Sequence, residues 1–256
     1  MTLIEALIAG VVQGLTEFLP VSSSGHLVLV HKFFGFTEPS IFFDICLHAA
    51  TLMAVILYFG RDIVSLIREK NFKWFFYIAI ATVPAVLAAL LFEDRISTFF
   101  TSPVKVAFML VITGTVLLIG QVALWKRDGS GKKLSFFTAL AVGIAQAFAL
   151  LPGISRSGMT ISTGLAGGMK AEEAFKFSFL LSIPVILGAA LYKALTVDLG
   201  AVMAGNTVNY LAGMMTAFVV GLLSLHVLWK IVKGKMLYIF AAYCLLLGAI
   251  GIFFWK

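Results

Sequence analysis

The sequence predicts an all-α polytopic membrane protein: six transmembrane helices plus two re-entrant helical hairpins, arranged as an inverted-topology repeat. Three observations predict it. The first is composition: 61% of the 256 residues are hydrophobic, 12% are charged, and mean hydropathy is +1.05. A soluble domain carries about 45–50% apolar and about 25% charged residues, so too few polar side chains remain to cover a soluble core. Disorder is excluded by the same hydrophobicity. The second is run length. The apolar runs approach the roughly 20 residues a spanning helix needs, without the alternation in segments of about ten that marks a membrane β-barrel. The third is a pair of long apolar runs, each broken near its middle in the same way.

The first broken run covers 3–35, with the break at Leu19-Pro20-Val21-Ser22-Ser23-Ser24-Gly25-His26. Each half is too short to span, which fits a hairpin that returns to its own side. Spans follow at roughly 41–59, 74–92 and 103–125. The polar loop Lys126–Lys133 then divides the chain. The second broken run, 134–168, has its break at Leu151-Pro152-Gly153-Ile154-Ser155-Arg156-Ser157-Gly158. The last three spans are expected near 177–195, 208–229 and 236–255. Trp74, Trp125, Trp229 and Trp255 fall at span ends, where interface anchors sit.

A shift of 133 residues places Gly10, Gln13, Ser22, Ser24 and Gly25 on Gly143, Gln146, Ser155, Ser157 and Gly158. The chain is thus read as one membrane domain of two copies, 1–125 and 134–256, each a hairpin plus three spans. An odd number of spans per copy gives the copies opposite orientation. Charge agrees. Loops 60–73, 126–133, 169–176 and 230–235 hold 13 basic residues, and the opposite side holds five: Lys32, Arg95, Lys105, Lys193 and Lys256. By the positive-inside rule the first group is cytoplasmic. The first hairpin then opens outward, the second inward, and their tips meet near the midplane.

The net charge of +7 needs no nucleic-acid partner, because orientation accounts for it. Cys46 and Cys244 lie inside apolar runs, so no disulfide framework is indicated. No cleavable leader is expected, since no Lys or Arg precedes the first run and Glu5 and Glu17 interrupt it. P-loop, dinucleotide and Cys/His zinc spacings are missing from the sequence.

Most charges belong to loops or span ends. Glu17, Asp44 and Arg156 do not, and His26 and His48 accompany them. An ionisable group at membrane depth costs at least about 2.5–3.5 kcal/mol, so it normally faces a cavity and has partners. Gln13 and Glu17, four apart, share a helix face. Ser22 to Ser24 can cap the half-helix carrying His26. Ser155, Arg156 and Ser157 open the other half-helix, with Thr160 one turn on. Free N–H groups, a helix-dipole end and a planar guanidinium together suit a phosphate. A structural Glu17–Arg156 ion pair is the plainer alternative, and the two can coexist. The shift of 133 sets Ser23 on Arg156, a hydroxyl in one copy and a cation in the other. Asp44 and His48 share a face and are read as support for the site or as cation ligands.

Gln13-Gly14-Leu15-Thr16-Glu17, continuing through Phe18-Leu19-Pro20-Val21-Ser22-Ser23-Ser24-Gly25-His26, resembles the first motif of the undecaprenyl-diphosphatase family of bacitracin-resistance membrane phosphatases. Pro152-Gly153-Ile154-Ser155-Arg156-Ser157-Gly158-Met159-Thr160 resembles its second. The resemblance covers essentially the whole chain. Gln13 is the neutral choice at a position where the family uses Glu or Gln. The resemblance implies hydrolysis of undecaprenyl diphosphate to undecaprenyl phosphate and phosphate, recycling the carrier for cell-wall synthesis. It also implies a divalent cation, magnesium or calcium, in the bacterial inner membrane, with a site open to the outer face. The expected catalytic set is Glu17, Ser23, His26 and Arg156. Ser22, Ser155, Arg156, Ser157 and Thr160 are expected to bind phosphate, and Gln13 and Glu17 the metal. Ser23 is the candidate nucleophile with His26 as its acid or base partner; direct attack by water stays open. The prenyl lipid and the bilayer are the expected partners, and a homodimer is compatible. The rival reading is a transporter or flippase of a phosphorylated prenyl lipid, which the same repeat architecture would serve.

Overall fold

The computed structural model describes residues 1–34, 41–126, 131–196 and 207–255. Arg127, Asp128, Gly129 and Ser130 of the dividing loop and Lys256 lie outside the described residues, as do the side chains of His31, Lys32 and Lys193. The described residues form helices and no strand.

Both broken runs fold as helix pairs. Helix α1 (Leu3–Thr16) begins in a capping box, in which Thr2 and Glu5 each accept the other's backbone N–H. It ends at Glu17, and α2 (Ser23–Phe34) follows the Pro20 turn. Helices α7 (Phe136–Phe148) and α8 (Arg156–Ala166) start at Ser135 and Ser155, whose hydroxyls accept from Thr138 N and Gly158 N. Between them Gly153 takes φ +96°. A side chain there would also collide with the Val106 carbonyl, so two constraints select glycine.

Among the described residues four helices are long and apolar enough to cross a bilayer: α5 (Phe72–Phe100), α6 (Pro103–Trp125), α9 (Ala171–Thr196) and α10 (Thr207–Lys233). A fifth span results if α3 (Ile41–Tyr58) and α4 (Gly60–Arg68), bent by 62°, count as one. The sixth expected span is the apolar α11 (Tyr238–Phe254), whose 17 residues reach only about 25 Å. Two boundaries differ from expectation. Residues 60–68, read as loop, form α4, because Ile63 and Leu66 pack against the core while Arg61, Ser65 and Arg68 stay outside. The span expected to end at 92 continues to Phe100 across a kink at Phe92 (φ −125°, ψ 18°).

The packing is reciprocal between the chain halves. Helix α1 lies on α10 and α7 on α5, α3 contacts α10 and α9 contacts α5, and α6 pairs with α11. Glycines permit the two hairpin contacts. A Cβ on Gly10 would lie 2.5 Å from the Gly213 carbonyl, and one on Gly143 would lie 2.6 Å from that of Ala81. Phe18, Phe59, Phe175 and Phe179 form an aromatic core with Trp229 at its edge. Phe18 thereby anchors the end of α1, next to Glu17, onto α9. Large apolar side chains such as Leu91, Phe137 and Phe253 face outward, as they would toward lipid.

Candidate active site

The two hairpin turns touch. Ser22 sits at φ +71°, a left-handed conformation that costs an ordinary L-residue about 1–2 kcal/mol. Hydrogen bonds compensate: its Oγ accepts from Gly153 N at 3.0 Å and Gly25 N at 3.3 Å. Only glycine fits at 25, because a Cβ there would lie 2.9 Å from Gly153 Cα. From α6, Thr113 Oγ1 donates to Gly153 O at 2.8 Å and accepts from Ser155 N at 3.0 Å. Each turn is thus held by buried polar groups of another element.

Across this joint three donors converge on the Glu17 carboxylate. Arg156 Nη2 donates to Oε1 at 3.0 Å, while Ser23 Oγ at 2.8 Å and Gln13 Nε2 at 3.2 Å donate to Oε2. Glu17 and Gln13 are buried, and the Arg156 side chain is 13% exposed. The guanidinium lies 5.8 Å from the Phe179 ring centroid, a cation–π contact that restrains it. Two polar atoms here, Arg156 Nη1 and Gln13 Oε1, are buried and make no hydrogen bond among the described residues. One is a donor and one an acceptor, so the site has unspent capacity for an anion and for a cation.

The other expected residues are placed as follows. Ser155 Oγ caps α8 and lies 3.3 Å from Ser157 Oγ, and both residues are buried. Thr160 Oγ1 donates to Arg156 O at 2.8 Å and lies 2.6 Å from Ser178 Oγ of α9. These three hydroxyls are engaged with protein and brace the arginine from behind. His26 is one turn from Ser23, but its Nδ1 meets Ser22 O at 2.8 Å and its Nε2 meets Tyr243 OH at 2.7 Å. Neither nitrogen is paired with Ser23.

Sequence reasoning left His48 without a firm role. It approaches Glu17, with Nε2 3.8 Å from Oε2. Its Nδ1 faces the Asp44 carbonyl at 2.8 Å, which requires a proton there, so Nε2 is an ion-pair partner of Glu17 only in the charged ring. Thr113 and Tyr243 were missed altogether. A lone Thr or Tyr in an apolar span carries no signal that separates a hydrogen-bonding role from packing.

A family model described as bacitracin resistance protein BacA matches residues 6–250. The chain is 39% identical to the undecaprenyl-diphosphatase of Moorella thermoacetica, over 98% of this chain and 97% of that one. It is 41% identical to that of Desulforapulum autotrophicum, over 98% of each. The undecaprenyl-diphosphatase of Methanosphaera stadtmanae is 39% identical, again over 98% of each.

Proposed function

The chain belongs to the bacitracin-resistance BacA family, and from that membership and the site geometry we propose that it is a multi-pass membrane undecaprenyl-diphosphatase. It hydrolyses undecaprenyl diphosphate to undecaprenyl phosphate and inorganic phosphate, returning the lipid carrier to cell-wall synthesis. The convergence of Ser23 and Arg156 on Glu17 at the joint of the two hairpins carries the reading. A nucleophile, its base and an anion-binding cation stand together there in a buried setting.

In our mechanism the diphosphate enters beside Arg156, and the prenyl tail stays among the helices. The unpartnered Nη1 and the first N–H groups of α8 take the terminal phosphate. As Arg156 turns to this charge, Glu17 loses its counter-ion and becomes more basic. It accepts the Ser23 proton while Oγ bonds to the terminal phosphorus. The bridging P–O bond breaks, and undecaprenyl phosphate leaves with that electron pair and the proton from Glu17. Water then attacks the phosphoserine. Glu17 takes the water's proton and returns it to Ser23 Oγ as inorganic phosphate departs. Arg156 stabilises the charge that develops on the phosphoryl oxygens in both halves.

A divalent cation fits these residues. The donors are hard oxygens, one of them the orphaned Gln13 Oε1 beside the Glu17 carboxylate. No group of three or more His, Cys, Asp or Glu residues suited to a metal occurs among the described residues. Gln13 and Glu17 would therefore hold magnesium or calcium jointly with substrate phosphate. When bound, the ion supplies charge neutralisation at the diphosphate.

The finer architecture belongs to the same proposal: two copies, 1–125 and 134–256, of opposite orientation, each a re-entrant hairpin plus three spans. The reciprocal contacts of α1 with α10 and α7 with α5 support it. We place the site open to the outer face, which the distribution of basic loops supports. The same reciprocity keeps a second reading, a flippase for a phosphorylated prenyl lipid, in view. Phosphate release by purified protein in detergent, given a prenyl diphosphate and a divalent cation, tests the main reading. No release by the wild-type chain refutes it. Lipid flipping that persists in Glu17→Ala would establish the second activity.

A further inference from the structure

We propose that Tyr243 is a positioning residue for the serine nucleophile, acting through His26; this rests on the reading that Ser23 and Glu17 carry hydrolysis. The two rings lie near-parallel, 11° apart in plane, with Tyr243 OH 2.7 Å from His26 Nε2. The opposite ring nitrogen, Nδ1, lies 2.8 Å from the Ser22 carbonyl oxygen. A carbonyl only accepts, so Nδ1 carries the proton. In the neutral ring Nε2 is then the lone pair, and the phenol donates to it. The hydroxyl of Tyr243 thus selects one tautomer of His26, and that tautomer grips the Ser22 carbonyl.

Ser22 is the strained residue of the site, at φ +71°. Its backbone leads directly into Ser23 and sets the direction of the hydroxyl that meets Glu17 at 2.8 Å. Helix α11 grips the same turn a second time, where Cys244 Sγ lies 3.6 Å from Pro20 O. Nothing else about Tyr243 requires a hydroxyl. It shares an outward face with Ile239, Leu246 and Ile250 and is itself 43% exposed, on the most apolar of the described helices. A ring needed only for packing would serve there as phenylalanine. Without the hydroxyl, the histidine is free to take the tautomer that sets a lone pair against the Ser22 carbonyl, which then keeps only the His26 backbone N–H at 3.1 Å.

The test compares four full-length proteins in detergent with a prenyl diphosphate and magnesium: wild type, Tyr243→Phe, His26→Ala and the double variant. Loss of a partner that orients a metal-bound imidazole lowers activity about 10–100-fold, and the same order is expected for this imidazole. Tyr243→Phe is expected to lower kcat by that factor, with KM within about twofold and an unchanged Tm. The double variant is expected to be no worse than His26→Ala, since both changes break one chain of contacts. A kcat for Tyr243→Phe within about twofold of wild type overturns the inference. So do losses that multiply in the double variant, or a fall in Tm parallel to kcat, which would make the hydroxyl a matter of general stability. Absence of phosphate release by wild type instead refutes the enzymatic reading on which the inference rests.

Discussion

Replacing Arg156 with methionine removes the cation from Glu17 while keeping an unbranched chain against Phe179. At 3.0 Å, and with an effective dielectric near 20, the Coulomb attraction of the pair is roughly 5–6 kcal/mol before desolvation is counted. Desolvation offsets much of that in the intact pair, but the one-sided variant leaves a buried carboxylate with Ser23 and Gln13 as hydrogen-bond donors and the His48 ring 3.8 Å away. Such losses run to about 3–5 kcal/mol. In a chain of this size that lowers Tm on the order of 10 °C. Glu17→Gln strands the guanidinium and should cost a similar amount. Glu17→Gln combined with Arg156→Met removes both charges, and stability should return to within about 2 kcal/mol of wild type. Phosphate release should not return, because the base and the anion-binding group are both gone; each of the three variants should fall by a factor of about a hundred or more. Tryptophan fluorescence during heating in micelles reads stability, and a phosphate assay reads turnover. A double variant as unstable as the two single losses added together would refute the pairing. Arg156→Met with wild-type turnover would refute the assignment of the site.

Ser23→Ala removes one hydroxyl from the surface of the joint. Turnover should fall about a thousandfold with Tm nearly unchanged, and a phosphorylated peptide containing Ser23 should be trapped from wild type by rapid quench but not from this variant. Gln13→Glu brings a second carboxylate to the orphaned acceptor position. The cation concentration for half-maximal turnover should drop severalfold, and turnover without added cation should drop as well; an unchanged metal titration would remove Gln13 from the ion's ligands. Gly153→Ala must accommodate φ +96° and a Cβ that collides with Val106 O. A loss of roughly 2–4 kcal/mol in thermal unfolding is expected, and a wild-type Tm would show that the turn relaxes freely.

Hydropathy made most of the fold legible, because a spanning helix is recognised by run length whatever its neighbours are. The breaks at Pro20 and Pro152-Gly153 are legible from backbone chemistry, and a shift of 133 aligns them in the sequence itself. Helix α4 was not legible. Its arginines read as loop, and only tertiary packing of Ile63 and Leu66 explains its order. Within the site, Glu17, Ser23 and Arg156 stood out because charge and hydroxyl clusters are rare at membrane depth. The depth and direction of hydroxyls are not written in spacing. Ser155, Ser157 and Thr160 share the arginine's turn, yet face protein. His26 follows Ser23 by three residues, yet turns toward a tyrosine 217 positions away. Contacts of that separation leave no local trace in a single sequence.

The bond from Arg156 to Glu17 joins residues 139 apart, and α1 rests on α10, which begins only at Thr207. A nascent chain therefore exposes the carboxylate long before the ribosome has delivered its counter-charge. Until then the first hairpin has neither its arginine nor the helix it will lie on. A chain that ends before Thr207 already holds Glu17, Ser23 and Arg156 but lacks the helix on which α1 rests. A chain truncated before α10 should remain a substrate for membrane quality control, with its first hairpin reachable by water-soluble probes.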